Sequence, residues 1–173
     1  MRRADVAVYS SDGNLQLVVE IKNKSGASAE WVIQMRRNLL VHAVIPPSPY
    51  FLLVLPDFFY LWTDAMFVHE LAPPAYQIKA IEVLAPYLDQ STQTLEDLSE
   101  YSLELLIISW LEDLIGTDLR QDMAGPHLQW LFDSGLYEAI THGCVTIENE
   151  LETHSCRLLT KFVDGLGYVR SRL

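Results

Sequence analysis

The chain has 173 residues, which suits one compact domain or a core with a small appendage. Half of its residues are apolar, which excludes wholesale disorder. Its net charge of −11 disfavours a simple nucleic-acid-binding protein, because such proteins usually present a basic surface to phosphate.

The sequence indicates neither a membrane segment nor a zinc site. The longest strongly apolar run in the second half, 105–111, lies between Glu104 and Glu112 and is far shorter than a membrane span. Cys144 and Cys156 form no CxxC pair, and the histidines do not cluster with them. Because no signal peptide is recognisable, we expect a protein of the reducing cytoplasm with no membrane partner.

Two short apolar runs near the start, 3–9 and 15–22, carry charged residues in unexpected places. An Asp-Gly pair lies between them, and this pair is typical of tight hairpin turns because glycine tolerates a positive φ. Strand side chains alternate between the two faces of a sheet, so Glu20 and Lys22 are expected to share one face. Pairing of the two runs would then bring Asp5 close to both.

These three charged side chains suggest two kinds of site. A carboxylate such as Glu20 within an apolar strand is costly when it is buried without a cation or a donor. An ion pair with Lys22 or with an arginine is the structural explanation. The functional explanation is a divalent cation, because two carboxylates supply the oxygen ligands that Mg²⁺ and Mn²⁺ prefer, and a nearby ammonium stabilises charge on a phosphate.

Asp5, fourteen intervening residues and the Glu20-x-Lys22 motif on the next strand resemble the PD-(D/E)XK nuclease superfamily. The resemblance covers about residues 1–62 and implies a metal-dependent endonuclease that cleaves phosphodiester bonds in DNA. It also implies that Asp5, Glu20 and the backbone carbonyl of Ile21 hold Mg²⁺ or Mn²⁺. Lys22 would then position or stabilise the attacking water.

A helix is predicted from the turn at 25–28 to about His42. Many members of this family carry a glutamine on the helix after the motif. Gln34 occupies that position, where it would orient its neighbours or the substrate. Where some members add a tyrosine, this chain has Asn38, and Ala4 stands where the family name has proline.

Positive charge is concentrated near the proposed site. Residues 1–42 contain six lysines and arginines and four acids, whereas residues 43–173 carry a net charge of −13. We expect the basic residues near the site to contact nucleic acid, namely Arg3, Lys24, Arg36 and Arg37. Solvated helix arginines are the plainer alternative for the last two.

Two further strands are predicted after this helix. The run 50–55 is apolar on both faces, which is typical of a central strand, and the aromatic run 58–62 follows it across a Pro-Asp turn. With the hairpin they predict an α/β fold: a restriction-endonuclease-like mixed sheet of about four to five strands with a flanking helix. The usual opening helix and strand of that core are expected to be absent.

The second half of the chain is predicted to be mostly helical. The segments expected to fold there are helices at 76–88, 95–115, 126–135 and 136–140 and a short strand at 144–148. Acidic residues of the long helix are interpreted as a solvated face: Glu96, Asp97, Glu100, Glu104, Glu112 and Asp113. The expected organisation is a nuclease-like core at 1–72, a helical extension packed on it at 73–149, and a poorly ordered tail at 150–173.

A second hypothesis belongs to another functional class. The acidic balance of the chain and the missing opening elements favour a catalytically inactive nuclease-fold module that binds protein, including a second copy of itself. The intact Asp5, Glu20 and Lys22 favour the enzyme. Metal affinity separates the two hypotheses, since an inactive module has no need to retain a cation.

Overall fold

The computed structural model of the protein describes residues 4–89 and 93–147. Within them, six strands form one sheet: β1 (Val6–Tyr9), β2 (Leu15–Ile21), β3 (Tyr50–Val54), β4 (Phe58–Trp62), β5 (Tyr76–Lys79) and β6 (Cys144–Ile147). The same residues contain five α-helices: α1 (Ala29–Val41), α2 (Ala80–Leu84), α3 (Glu100–Gly116), α4 (Gln129–Asp133) and α5 (Leu136–Ile140). The predicted α/β class is confirmed.

The strand order in the sheet is β5-β4-β3-β2-β1-β6. The strands β2 and β3 pair in parallel with α1 in the crossover between them, and the other neighbouring pairs are antiparallel. The β1–β2 hairpin turns at Gly13, whose φ of 83° is the positive value that favours glycine. The predicted mixed sheet of four to five strands has six, because β5 and β6 extend its opposite edges.

An apolar core lies on each face of the sheet. Leu17, Val19 and Ile21 of β2 belong to the core that includes α3, whereas Val18 belongs to the core that includes α1. Alternation along β2 is the reason, since consecutive side chains point to opposite faces. Glu20 has the same parity as Val18 and therefore lies on the α1 face.

The helix predicted after the motif is confirmed as α1. Ser28 is its N-cap and accepts a hydrogen bond from the backbone N–H of Trp31 at 3.1 Å. Glu30 lies in the first turn, where a negative charge is favoured by the helix dipole. This helix covers the sheet face on which Glu20 lies.

The predicted helix at 76–88 is wrong at its start, where the chain forms β5. Ile78 is buried while Gln77 and Lys79 are exposed, which is the two-residue period of a strand. Pairing with β4 satisfies the backbone of this segment, so helix begins only at Ala80. Tertiary pairing thus overrides the weak helical pattern.

Two other helices begin later than predicted. The N-cap of α3 is Ser99, which accepts a hydrogen bond from the backbone N–H of Ser102, and residues 95–97 form a separate 3₁₀ turn. In the same way α4 begins at Gln129 after a 3₁₀ turn that starts at Pro126. Ser99 therefore sets where the acidic amino-terminal end of α3 begins.

The two halves of the chain share one sheet. The strands β5 and β6 come from the predicted helical extension, yet they pair with β4 and β1 of the predicted core. No helix within residues 4–89 and 93–147 is long and apolar enough to cross a membrane. Arg3 and the predicted tail at 150–173 lie outside the described residues.

Candidate active site

Asp5 and Glu20 lie opposite each other across the β1–β2 hairpin. Val6 pairs with Val19, so Asp5 and Glu20 are the next opposing residues of this antiparallel register. Asp5 Oδ2 accepts a hydrogen bond from the backbone N–H of Ile21 at 2.6 Å. This bond holds Asp5 at the end of β2 and brings two of the predicted metal-ligating residues together.

Lys22 compensates part of this negative charge. Its Nζ lies 2.7 Å from Glu20 Oε1, and the two side chains are 30% and 6% exposed. Burial raises the pKa of Glu20 above its ordinary value, and the hydrogen bond from Lys22 opposes this effect only in part. Burial lowers the pKa of Lys22, but the hydrogen bond and charge of Glu20, together with the charges of Asp5 and Glu100, outweigh it and the pKa is raised overall. Lys22 is therefore an ammonium at neutral pH.

The amino-terminal end of α3 adds two more carboxylates. Glu100 Oε2 accepts a hydrogen bond from the backbone N–H of Asn23 at 3.1 Å, and the Asn23 side chain donates to the carbonyl of Leu98 at 3.2 Å. Glu104 is half-buried, and burial together with the charges of Asp5 and Glu100 raises its pKa. Asp5, Glu20 and Glu100 thus lie close enough to Lys22 to act on its charge, and Glu104 lies near Asp5 and Glu100.

Glu100 is exposed, as predicted for a solvated face, whereas Glu104 is half-buried, and tertiary packing brings both to the site. Their four-residue spacing puts both on one side of α3. One feature of the sequence could have indicated this position. Ser99 is an N-cap serine, and it shows that the acids after it lie at a helix terminus. The contact with Asn23 joins residues 77 positions apart, and no local pattern predicts it.

The resemblance implies a divalent metal ion, and the site must supply the oxygen ligands for it. Among residues 4–89 and 93–147, no three His, Cys, Asp or Glu side chains are grouped so that they could hold a metal ion. However, Mg²⁺ usually keeps several waters and takes only one or two carboxylates from the protein, together with phosphate oxygens of the substrate. Asp5 and Glu20 supply two such carboxylates and fit that requirement.

Gln34 is not brought to these side chains. It is exposed on α1, and within the described part of the chain it forms no hydrogen bond with Asp5, Glu20 or Lys22. Ile21 contributes its backbone N–H to Asp5, while its side chain is fully buried in the core. The structure therefore assembles Asp5, Glu20 and Lys22 and leaves Gln34 apart from them.

Arg36 is buried rather than available to nucleic acid. It is 1% exposed, and its guanidinium donates to the carbonyls of Ala65 at 3.1 Å, His69 at 3.0 Å and Glu70 at 3.3 Å. The guanidinium also lies 5.4 Å from the ring centroid of Trp62, and burial lowers its pKa. These contacts tie the chain after β4 to α1, so Arg36 is removed from the predicted nucleic-acid surface.

Arg37 and Lys24 remain at the surface. Arg37 Nε donates to Glu70 Oε1 at 3.2 Å, and both of these side chains are substantially exposed. Lys24 Nζ lies 5.4 Å from the ring centroid of Trp31. Exposed pairs of this kind contribute little stability, so both cations stay available to a phosphate.

No family model, curated protein or solved structure matches this chain. Function is therefore inferred from the residues of the site, above all from the grouping of Asp5, Glu20 and Lys22.

Proposed function

We propose that this protein is a Mg²⁺- or Mn²⁺-dependent nuclease that hydrolyses phosphodiester bonds in DNA. The observation that carries the proposal is the grouping of Asp5, Glu20 and Lys22 at the end of β2. Two carboxylates and one ammonium at a single position match the charges that a metal ion and a phosphate require. The mixed sheet and the α1 crossover agree with the nuclease-like core that the motif predicts.

In this proposal the metal is held by the carboxylates of Asp5 and Glu20 together with the carbonyl of Ile21. When bound, such an ion lowers the pKa of a water ligand and offsets negative charge on the phosphate. Lys22 keeps its proton, because its pKa is raised. Its role is therefore to orient the attacking water or stabilise developing charge, and a role as general base is disfavoured.

The acidity of the site supports a requirement for a cation. Asp5 and Glu100 add negative charge around Glu20, and Glu104 adds to the charge around Asp5 and Glu100. Lys22 supplies one compensating positive charge. A phosphodiester would be repelled by this arrangement unless a divalent ion were also bound. We propose that Glu100 and Glu104 adjust the charge of the site and strengthen its affinity for the ion.

Two elements from the second half of the chain reach the strands that carry the motif. The strand β6 pairs with β1, and α3 brings acidic residues to the end of β2. We propose that β6 and α3 support the site. This role explains why the acidic half of the chain packs on the nuclease-like core.

Cleavage of supercoiled plasmid and of linear single- and double-stranded DNA tests the proposed nuclease. Wild-type protein is incubated with Mg²⁺, Mn²⁺ or EDTA beside Glu20→Gln and Lys22→Ala, and Glu112→Gln is the control, because Glu112 lies exposed near the other end of α3. We expect metal-dependent cutting that both site variants reduce about 100-fold or more and the control leaves intact. A folded wild type that neither cuts DNA nor binds Mn²⁺ in calorimetry would overturn the proposal.

An exposed apolar surface supports a second candidate function. Met66 is 50% and Phe67 is 85% exposed, in a segment that Arg36 holds against α1. Exposed apolar patches on folded proteins often mark contact sites for other proteins. The candidate is an inactive nuclease-fold module that binds protein, including a second copy of this chain. Light scattering tests this candidate. A wild-type dimer that Phe67→Ser dissociates, together with no Mn²⁺ affinity, would favour the inactive module over the nuclease.

A further inference from the structure

The indole ring of Trp31 lies at the start of α1, next to Lys24 of the loop that follows the motif. The side chain is half-buried and packs against the core on the α1 face, so part of the ring remains accessible. Lys24 is exposed, and its Nζ lies 5.4 Å from the ring centroid of Trp31. An aromatic ring and a cation are thus presented together. The cation, Lys24, is two residues beyond Lys22 in the chain.

The loop that carries Lys24 is fixed on both sides. Asn23 is hydrogen-bonded to Glu100 and Leu98, and the backbone N–H of Gly26 donates to Asp57 Oδ2 at 2.7 Å. The backbone N–H of Lys24 also donates to the carbonyl of Lys22 at 3.0 Å. The position of the ring and cation relative to the motif is therefore set by the fold.

The spacing suits neighbouring nucleotides of one strand. Two Cα steps separate Lys22 from Lys24, a span of at most about 7.6 Å. One strand of a duplex advances about 3.4 Å per nucleotide. The Lys24 side chain adds its own length to this span before it reaches Trp31, so a phosphate at Lys22 and a base on Trp31 would belong to one short stretch of the same strand.

Energetics favour a base over the lysine on the indole face. An exposed cation–π contact shifts an equilibrium by a factor of about 2 to 5. Stacking of a nucleic-acid base on an aromatic side chain shifts it by a factor of about 5 to 150. A base can therefore displace Lys24 from Trp31, and the released ammonium can pair with the adjacent phosphate.

We propose that Trp31 and Lys24 form a stacking platform for an unpaired base, which directs the site to single-stranded DNA or to frayed strand ends. A base inside a duplex cannot occupy the platform, because both of its faces are already stacked on neighbouring bases. This inference rests on the proposed nuclease function for its substrate. The platform itself is tested separately, by binding without cleavage.

Binding is measured by fluorescence anisotropy with labelled single- and double-stranded oligonucleotides of one sequence, in Ca²⁺ and at one fixed salt concentration. Wild type is compared with Trp31→Ala and with Trp31→Phe, which keeps an aromatic ring. We expect tighter binding of the single strand, a loss of about 5- to 150-fold in Trp31→Ala, and most of the affinity retained in Trp31→Phe. Equal affinity for both oligonucleotides would overturn the platform.

A series of single strands, each with one abasic position, supplies a test on the unmodified protein. Weaker binding at one or two adjacent abasic positions, with no such dependence in Trp31→Ala, supports the platform. A uniform response along the strand overturns it, since no base is then recognised by stacking.

Cleavage assays with the same oligonucleotides in Mg²⁺ distinguish failure of the proposed nuclease from failure of the proposed platform. A preference for the single strand that Trp31→Ala removes supports both inferences. Cleavage whose strand preference is the same in wild type and Trp31→Ala supports the nuclease and overturns the platform. Absence of cleavage together with abasic-sensitive binding overturns the nuclease and keeps the platform as a single-strand binding site.

Discussion

Lys22 Nζ lies 2.7 Å from Glu20 Oε1, and the two residues project from the same side of the chain at the end of β2. The carboxylate is almost fully buried, whereas the lysine retains contact with solvent. Each side chain is thus the principal partner of the other. Changing either one alters the energetics of both.

Replacement of Lys22 by methionine leaves Glu20 buried without its ammonium partner. We expect the free energy of unfolding to fall by about 1.5–3 kcal/mol, the range for hydrogen bonds to charged groups. Urea denaturation measures the change, and Lys22→Arg, which keeps a positive charge, should retain part of the stability. An unchanged midpoint in Lys22→Met would mean that the pair is not formed in solution.

Mn²⁺ or Mg²⁺ should raise the melting temperature of the wild type. An ion that binds the folded state stabilises it, by about 2.7 kcal/mol at a concentration one hundred times its dissociation constant. Asp5→Asn and Glu20→Gln should lose most of this stabilisation, because each removes a proposed ligand. Glu112→Gln should keep it. Equal shifts in all four proteins would indicate general binding to an acidic surface.

The pH dependence of stability follows from the raised pKa of Glu20, whose main cause is burial. The folded state binds this proton more tightly than the unfolded chain. The stability that this bound proton contributes is therefore present below the ordinary pKa of 4.5. It is lost as pH rises through the pKa that Glu20 has in the folded state. Without divalent metal, the stability of wild type relative to Glu20→Gln should fall across this window.

Urea denaturation between a pH below 4.5 and about pH 8 measures the difference in stability between wild type and Glu20→Gln. This pH range ends before Lys22 begins to titrate. Glu104→Gln should show the same sign, because the pKa of Glu104 is also raised by burial. Glu112→Gln is the control. A relative stability that rises with pH would show that Lys22 outweighs burial at Glu20.

Arg36→Met should destabilise the protein by about 2–4 kcal/mol, since the carbonyls of Ala65, His69 and Glu70 lose their donors. Arg37→Gln is the matched control on the same helix. Its exposed pair with Glu70 contributes at most about 1 kcal/mol. Urea denaturation of both variants checks the prediction, and equal effects would contradict the buried position of Arg36.

Gly143→Ala should disturb the pairing of β6 with β1. A Cβ at this position would clash with the backbone oxygens of Tyr9 and Ile140, and the backbone cannot give way as a flexible side chain would. We expect a loss of about 1–3 kcal/mol, measured by thermal or urea unfolding. Gly116→Ala is the control, because among the described residues a Cβ there would meet no atom within 4 Å apart from its chain neighbours and its own helix backbone. A neutral Gly143→Ala would argue that β6 is not paired as described.

Local patterns predicted the centre of the structure correctly. The alternation along β2, the Asp-Gly turn and the serine cap at residue 28 depend on neighbours in the chain, and the hairpin and α1 confirm them. The prediction failed at β5, where pairing with β4 decides the backbone conformation. A short segment with mixed polarity has no local preference strong enough to resist such pairing.

The sequence by itself determined the β1–β2 hairpin, the face shared by Glu20 and Lys22, and the helix that follows them, because each depends on side-chain period and turn chemistry. Only the tertiary structure decided that Arg36 is buried and that α3 delivers Glu100 and Glu104 to the end of β2. The physical reason is that burial and charge proximity arise from contacts between distant segments. Such contacts leave no periodic signal in the chain itself.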